Sequence, residues 1–232
     1  MEKISTNLNT MPLFALLSKQ LTKSKSNLLK LIAAATMLID HIGYLYFPNS
    51  VLFRIIGRIA FPIFAYQISV GFKFTSNPKR YLKRLFIFAL VSQIPFSLMT
   101  EDPYELNVIA TFFFAAVALF FIQKRWYFLV VIPLAISYLV PMDYGIYGVL
   151  SVLIFYLFFD MPLLQLIGFC ILTWFEVHLI GWSVQFYSII SVVLILLIRM
   201  LPVEFELKLN KYFFYWFYPV HMLLLVMIGK MF

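Results

Sequence analysis

The feature that most constrains this chain is a series of long apolar runs separated by short polar or charged breaks. Of its 232 residues, 63% are hydrophobic and 12% are charged, and the mean hydropathy is +0.95. A water-soluble domain of this size cannot bury so much apolar surface, so lipid must cover the remainder. We therefore predict an all-α, polytopic transmembrane helix bundle, because helices satisfy their own backbone hydrogen bonds in lipid.

Nine of these runs approach the roughly 20 residues that a helix needs to cross the hydrocarbon core. Their approximate bounds are 28–47, 51–72, 82–100, 106–123, 126–141, 144–159, 163–180, 183–200 and 211–231. The fifth and sixth could instead form a re-entrant pair, since Pro133 interrupts one and only Pro141 to Asp143 connects them. We divide the chain into residues 1–27, a cytoplasmic tail or interfacial helix, and residues 28–232, the transmembrane domain.

Positive charge is distributed asymmetrically between the two sets of loops. The N-terminal segment holds five basic residues, the second loop five, the fourth two and the eighth three, which makes fifteen of the eighteen. The opposite loops carry acidic residues, namely Glu101, Asp102, Glu105 and Asp143. Since Lys and Arg accumulate on the cytoplasmic side of a membrane, we predict a cytoplasmic N-terminus and an external C-terminus.

The remaining composition excludes several familiar functions. The net charge of +8 is spread between apolar runs instead of forming one stripe, so no nucleic-acid partner is predicted. The single cysteine, Cys170, lies inside an apolar run, which excludes an intrachain disulfide and gives no zinc-ligand spacing. The HExxH, GxSxG, GxxxxGK[ST] and GxGxxG motifs are absent from the sequence.

A layer of ionisable residues falls inside the apolar runs, where each costs about 2.5 to 3.5 kcal/mol to insert. At a rise of about 1.5 Å per residue, Asp40 and His41 lie about 10 to 12 Å below the outer edge of the bilayer. Arg58 and Glu176 lie about 10 Å below the same edge, and His221 lies about at the midplane. Residues from different helices converge on one level, which predicts a buried polar chamber in the outer half of the membrane.

This set of side chains favours acyl transfer. A histidine can take a proton from an amine or hydroxyl that attacks an acyl carbon, and an arginine can stabilise the developing negative charge. We predict that His41 is the general base and that Asp40 pairs with Arg58, a contact that can be structural, functional or both. Another group must then hold the imidazole, and the candidates are His221 and Tyr218.

Other polar and aromatic residues have simpler interpretations. Arg54 shares a helical face with Arg58, but it is shallow enough for its charge to reach the interface, where we place it as an anchor. Glu176 and His178 are two residues apart and cannot face the same way, so at most one should reach the chamber. The tryptophans, including Trp182, are assigned to interfacial belts and packing.

Several short blocks of the sequence resemble those of one known family. They are Met37 to Gly43 (MLIDHIG), Ile56 to Phe64 (IGRIAFPIF), Tyr81 to Leu85 (YLKRL), Gln93 to Phe96 (QIPF), Asp143 to Gly148 (DYGIYG) and Phe217 to His221 (FYPVH). In this order they resemble the TraX family, membrane proteins associated with N-terminal acetylation of F-type conjugative pilin. The resemblance covers about residues 28–228, and the family is distantly similar to membrane acyltransferases that use cytoplasmic acetyl-CoA.

The resemblance implies an integral acetyltransferase of the bacterial cell membrane, with acetyl-CoA as donor and a pilin-like peptide, a secreted peptide or a glycan as acceptor. Asp40, His41, Arg58 and His221 belong both to the family blocks and to the polar layer, and they are the predicted catalytic residues. The candidate contacts to the phosphates of acetyl-CoA are Arg80, Lys83, Arg84, Lys124 and Arg125, which also fit plain topology signals. The candidate substrate contacts are Asp143, Tyr144, Tyr218 and Glu176.

Two alternatives stay open at this stage. A non-enzymatic transporter or flippase could use the same intramembrane charges as a substrate or proton path. A metal site built from Asp40, His41, Glu176 and His221 would have suitable ligand types, but no motif supports it and no metal is predicted.

The predicted topology can be tested with reporter fusions. The N-terminus and the loops at 73–84, 124–125, 160–162 and 200–210 should face the cytoplasm, because they carry most of the basic residues. A cytoplasmic C-terminus would mean that the predicted span count is wrong by one. The miscounted span would then lie between residues 126 and 159.

Overall fold

The structure is a computed structural model that describes residues 21–202 and 206–231. Throughout these residues the regular secondary structure is helical, apart from one isolated bridge between Leu106 and Met142. The all-α prediction is therefore confirmed for the described part of the chain. The predicted tail or interfacial helix falls mainly in residues 1–20, which lie outside the described residues.

The helices follow one another with short connections. In chain order they are α1 (Lys23–Tyr46), α2 (Val51–Gly57), α3 (Ala60–Lys73), α4 (Pro78–Thr100), α5 (Val108–Gln123), α6 (Val131–Leu139), α7 (Gly145–Leu157), α8 (Pro162–Ile180), α9 (Ile189–Met200) and α10 (Lys211–Gly229). Short 3₁₀ helices, Tyr127–Val130 and Ser183–Ser188, lead into α6 and α9.

The nine predicted apolar runs all coincide with helical segments. Six segments are long and apolar enough to cross a membrane by length and composition: Lys23–Tyr46, Val51–Lys73, Pro78–Thr100, Pro162–Ile180, Ser183–Met200 and Tyr212–Gly229. The fourth, fifth and sixth runs form the shorter helices Val108–Gln123, Tyr127–Leu139 and Gly145–Leu157. The count of about nine spans and the orientation of the N-terminus therefore stay predictions.

Polar side chains determine where several helices begin. The Asn77 side chain accepts a hydrogen bond from the Arg80 amide (2.9 Å), and Pro78 occupies the first position of α4. The Thr22 hydroxyl accepts from the Lys25 amide (3.3 Å), so α1 begins at Lys23. The predicted start at residue 28 was therefore too late, because apolarity marks the lipid-embedded part of a helix and not its cap.

The bundle has an internal core and a lipid-facing exterior. Helix α1 packs against α2, α3 and α10, while α3 and α5 both pack against α7. Tyr66, Phe72 and Phe155 are almost completely buried between these helices. Leu90 and Ile94 of α4 are instead 59% and 71% exposed, as expected of side chains that face lipid tails, which are as apolar as leucine.

The second predicted span is broken in its middle. Helix α2 ends at Gly57 and α3 begins at Ala60, and the Arg58 amide donates to the carbonyls of Arg54 (3.1 Å) and Ile55 (3.2 Å) across the turn. Broken helices are tolerated at membrane depth where they are buried in protein or line a cavity. The break introduces a polar residue, Arg58, into the interior of the bundle.

Two loops at the same end of the bundle are joined through their backbones. The Leu106 amide donates to the Pro141 carbonyl (3.0 Å), and the Asp143 amide donates to the Leu106 carbonyl (2.8 Å). The Thr111 hydroxyl also donates to the Asp143 carbonyl (2.6 Å). The segments before α5 and α7 therefore form one unit, which holds Glu105 and Asp143 over the interior.

The contact between α1 and α2 depends on Gly43. A Cβ added there would overlap the Cβ of Phe53, so one helix would have to move. We expect Gly43→Ala to lower the free energy of unfolding by about 1–3 kcal/mol, the usual cost of overpacking. Thermal unfolding in detergent measures this loss, with Gly168→Ala as the matched control, because its Cβ would meet only the flexible Ile154 side chain, whose nearest atom, Cγ2, lies at 3.2 Å. Equal stability of the two variants would contradict the close approach of α1 and α2.

Candidate functional site

The Asp40 carboxylate lies between two arginines. Its Oδ1 is 2.9 Å from Nη1 of Arg54, and its Oδ2 is 3.2 Å from Nη2 of Arg58. The Asp40 and Arg58 side chains are 11% and 5% exposed, so the predicted pair is present and buried. Gly57 allows the close approach of the two helices, because a Cβ there would overlap the Asp40 carboxyl group.

Arg58 continues this network toward α7 and α8. Its Nη1 donates to Oε1 of Gln185 (3.2 Å), and Nε2 of Gln185 donates to the Tyr147 hydroxyl (3.2 Å). The Tyr147 hydroxyl in turn lies 3.1 Å from Oγ1 of Thr173. The Arg58 guanidinium also lies over the ring of Trp182, at 4.6 Å from its centre. Each polar end of the arginine therefore has a partner, as a buried cation requires.

Two histidines from distant parts of the chain form a pair. Nδ1 of His41 lies 2.7 Å from Nε2 of His221, and Nδ1 of His221 lies 2.6 Å from the Phe217 carbonyl oxygen. A carbonyl can only accept, so His221 carries its proton on Nδ1. With both rings neutral, His41 then donates from Nδ1 to His221, and Nε2 of His41 is left as the basic nitrogen. Of the two predicted partners for the imidazole, His221 is the one that bonds it.

These groups border a cavity of about 300 Å³, which we call the outer cavity. Asp40, His41, Arg54 and Arg58 line it, together with the predicted substrate contacts Asp143, Tyr144, Glu176 and Tyr218. His221 is not among the lining residues and lies behind His41. The sequence therefore predicted correctly that residues from several helices meet in one polar chamber.

The loop acids give the outer cavity negative charge opposite the arginines. Glu105 joins Asp143 in the lining, and burial together with the nearby Glu105 raises the pKa of Asp143 to about 7. Burial also raises the pKa of Glu105. Such carboxylates favour a cation beside them, because a positive charge relieves both their burial and their mutual repulsion.

One predicted placement was wrong. Arg54 was assigned to the membrane interface, but it forms the shorter of the two contacts to Asp40, because it shares a helical face with Arg58. Trp182 was assigned to interfacial belts and packing, and its ring packs against both arginines, at 5.4 and 4.6 Å from their guanidinium carbons. Of Glu176 and His178, only Glu176 lines the cavity, while His178 is exposed and bonds the Trp174 carbonyl (2.7 Å).

A second cavity of about 250 Å³, which we call the inner cavity, lies toward the basic end of the bundle. Of the five predicted phosphate contacts, Arg84 alone lines it. The other four, Arg80, Lys83, Lys124 and Arg125, are exposed and line neither cavity. Lys30 of α1 lines the inner cavity instead, and its sequence position had suggested only a topology signal.

Gln185 and the role of Glu105 were not predicted from the sequence. Gln185 is buried in the 3₁₀ turn before α9, and an uncharged amide in a short polar segment gives little signal by itself. Glu105 was recognised only as an external loop acid. The backbone bonds of Leu106 bring it inward, and these bonds depend on tertiary structure.

The metal alternative gains no support from the geometry. Among the described residues, no group of three or more histidine, cysteine, aspartate or glutamate side chains is placed to hold a metal ion. His41 and His221 bond each other, and Asp40 is occupied by the arginines.

The charge network predicts unequal costs of substitution. We expect Asp40→Asn to lower the free energy of unfolding by about 3–5 kcal/mol, because it leaves the buried Arg58 and the partly exposed Arg54 without a carboxylate partner. Arg58→Gln should cost less, since Arg54 still neutralises Asp40. The double variant should lose less than the sum of the two, as measured by thermal unfolding in detergent.

The pair of Lys73 and Asp160 is the matched control for this network. Its N–O distance is 3.0 Å, but Asp160 is 73% exposed. Substituting either residue should change the free energy of unfolding by only about 0–1 kcal/mol. Additive losses at Asp40 and Arg58, or losses no larger than those of the control, would contradict a coupled buried network.

Comparison with known proteins connects this site to a family. A family model described as TraX protein matches residues 25–229. The chain is 27% identical over 230 residues to the probable fimbrial assembly protein FimC, serogroup H1, of Dichelobacter nodosus, which covers 85% of this chain and 92% of that protein. It is 29% identical over 107 residues to the uncharacterized protein RP591 of Rickettsia prowazekii (strain Madrid E), covering 45% of this chain and 41% of that protein. No solved structure gives a significant match. The family model spans most of the sequence, and the chain belongs to the TraX family.

Proposed function

We propose that the protein is an integral membrane acetyltransferase. It moves the acetyl group of cytoplasmic acetyl-CoA to an acceptor that enters the outer cavity. The observation that carries this proposal is the chain of hydrogen bonds from the Phe217 carbonyl through His221 to His41. This chain orients one imidazole and leaves its Nε2 as a base in a cavity that a substrate can occupy.

The transfer needs one proton acceptor, and His41 supplies it. Nε2 of His41 takes the proton of the acceptor amine or hydroxyl as that group attacks the acetyl carbonyl carbon. A new bond to the carbonyl carbon forms, the carbon–sulfur bond breaks, and His41 returns the proton to the departing thiolate. His221 acts as a positioning residue, because it fixes the tautomer and the ring orientation of His41.

The charges around the outer cavity favour an amine acceptor over a hydroxyl acceptor. Glu105, Asp143 and Glu176 place three carboxyl groups in its lining, where they can bind the ammonium group of a peptide N-terminus before it loses its proton. The name of the Dichelobacter relative, a probable fimbrial assembly protein, points to the same class of acceptor. We therefore propose a pilin-like or secreted peptide as the acceptor, with a glycan hydroxyl as the other acceptor class.

The expected orientation in the membrane determines the direction of transfer. The apolar helices embed the site in lipid, and the basic loops are expected to face the cytoplasm. A donor made in the cytoplasm then approaches from the basic side, while a secreted acceptor approaches from the outer cavity. We propose the bacterial cell membrane as the location.

Substitution of His41 tests the proposed chemistry. We expect His41→Gln to lower acetyl transfer by about 100-fold or more, because the general base is lost, while its amide preserves a hydrogen bond to His221. The measurement is transfer of labelled acetyl groups from acetyl-CoA to a pilin N-terminal peptide by the purified protein. His178→Gln is the matched control and should keep normal activity, because His178 is exposed and is not among the residues that line the cavity.

Two results would count against the proposal. Normal transfer by a well-expressed His41→Gln variant would remove His41 as the base. Movement of a substrate across membranes without any acetylation, by the wild-type protein, would favour the transporter alternative, for which the same charges form the path.

A further inference from the structure

The inner and outer cavities share one wall. Met37, Phe64, Val108, Phe112 and Tyr218 line both of them. Helix α1 connects them lengthwise, since Lys30 lines only the inner cavity and Asp40 and His41 line only the outer one. The two cavities therefore lie end to end across the bundle, and the inner one leads from the basic end toward the histidine pair.

Two cations lie at the end of the inner cavity that is away from the outer cavity. Nζ of Lys30 lies 5.7 Å from the centre of the Phe214 ring. Nε of Arg84 donates to the Tyr215 hydroxyl (3.0 Å), and its guanidinium carbon lies 5.1 Å from the Tyr81 ring centre. The salt bridges of the described residues involve neither cation, so aromatic contacts hold both without neutralising their charge.

Tyr218 lies where the two cavities meet and lines both of them. The residue is 5% exposed, and within the described structure no group accepts a hydrogen bond from its buried hydroxyl. A buried hydroxyl without a partner costs free energy, which a bound group can recover by accepting its hydrogen bond. The Tyr218 and His41 ring centres are 6.5 Å apart, so one small acyl group between them can contact both.

We infer that the inner cavity binds the flexible arm of the acyl-CoA donor, with its phosphates at Lys30 and Arg84 and its thioester carbonyl at the Tyr218 hydroxyl. This inference rests on the proposed function and assigns the donor to a place in the bundle. Tyr218 is then a catalytic residue, because its hydroxyl donates to the carbonyl oxygen as negative charge develops there. The inner cavity replaces the exposed loop residues as the donor site.

The length and polarity of the cavity fit such an arm. Lys30 and His41 are eleven residues apart, which is about 16 Å along α1. The arm between the phosphate and the sulfur has about as many bonds as the backbone of four residues, so it spans roughly 14 Å when extended. The Lys30 side chain covers the rest of the distance to the phosphate. Gln67, Tyr81 and Tyr215 place polar groups along the lining, which suits the amides of the arm better than a lipid hydrocarbon chain.

The first test measures binding of CoA without an acetyl group to the purified protein by calorimetry. We expect Ile68→Trp to abolish binding, because Ile68 lines the inner cavity and the larger side chain fills it. We expect Lys30→Gln with Arg84→Gln to weaken CoA at least about tenfold while leaving binding of uncharged pantetheine unchanged. Ile94→Trp, at a position 71% exposed to lipid, and Lys124→Gln with Arg125→Gln are the matched controls and should bind CoA normally.

The second test separates the role of Tyr218 from packing. Tyr218→Phe should bind CoA as tightly as the wild type and be about as stable, since the lost hydroxyl donates to no group in the described structure. Its acetyl transfer should fall about 100- to 1,000-fold, the usual cost of losing an oxyanion donor. Normal transfer by Tyr218→Phe would overturn its assignment.

The outcomes also separate this inference from the proposed function. CoA binding that is equal in the cavity variants and the controls, or a copurified phospholipid in the cavity that CoA does not displace, would overturn the donor site even if transfer occurs. CoA binding that depends on Lys30, Ile68 and Arg84 without any transfer by the wild type would support the site and contradict the acetyltransferase.

Discussion

The arrangement of the site depends on how the protein keeps an aspartate charged inside an apolar bundle. Asp40 stays buried because Arg54 and Arg58 approach it from the adjacent helices within 2.9 and 3.2 Å. That approach requires Gly57, where a Cβ would overlap the Asp40 carboxyl group, and it occurs at the break between α2 and α3. The ion pairs thus set the spacing of α1, α2 and α3, and the cavity forms on their outer side.

The histidine pair also depends on α1, which carries both Asp40 and His41. Adjacent residues on a helix point in different directions, so Asp40 faces the arginines while His41 faces α10. In α10, the carbonyl of Phe217 fixes the proton of His221, and His221 fixes that of His41. Burial in an apolar bundle favours the neutral imidazole, which is the form that can act as a base.

The two cavities differ in the charge of the residues that line them. The inner one begins among cations, the outer one is bordered by carboxylates, and Tyr218 lies between them. An anionic donor and a cationic acceptor would each meet complementary charge and come together only at the histidine pair. The assignment of transfer to this arrangement is our proposal, whereas the TraX family and the helical membrane-embedded architecture follow from the comparisons and the structure.

The sequence by itself determined the helical segments, the TraX resemblance and the convergence of polar residues from several helices on one chamber. These features depend on local composition and on a constant rise per residue, so counting along the chain was sufficient. It also predicted the contact of Asp40 with Arg58 and named His221 as a possible partner of His41. Only the tertiary structure decided that Arg54 joins the site, that Gln185 and Glu105 reach it, and that Lys30 and not Lys124 borders a cavity. Those facts depend on which face a helix turns inward and on how loops bond each other, and packing between distant segments sets both.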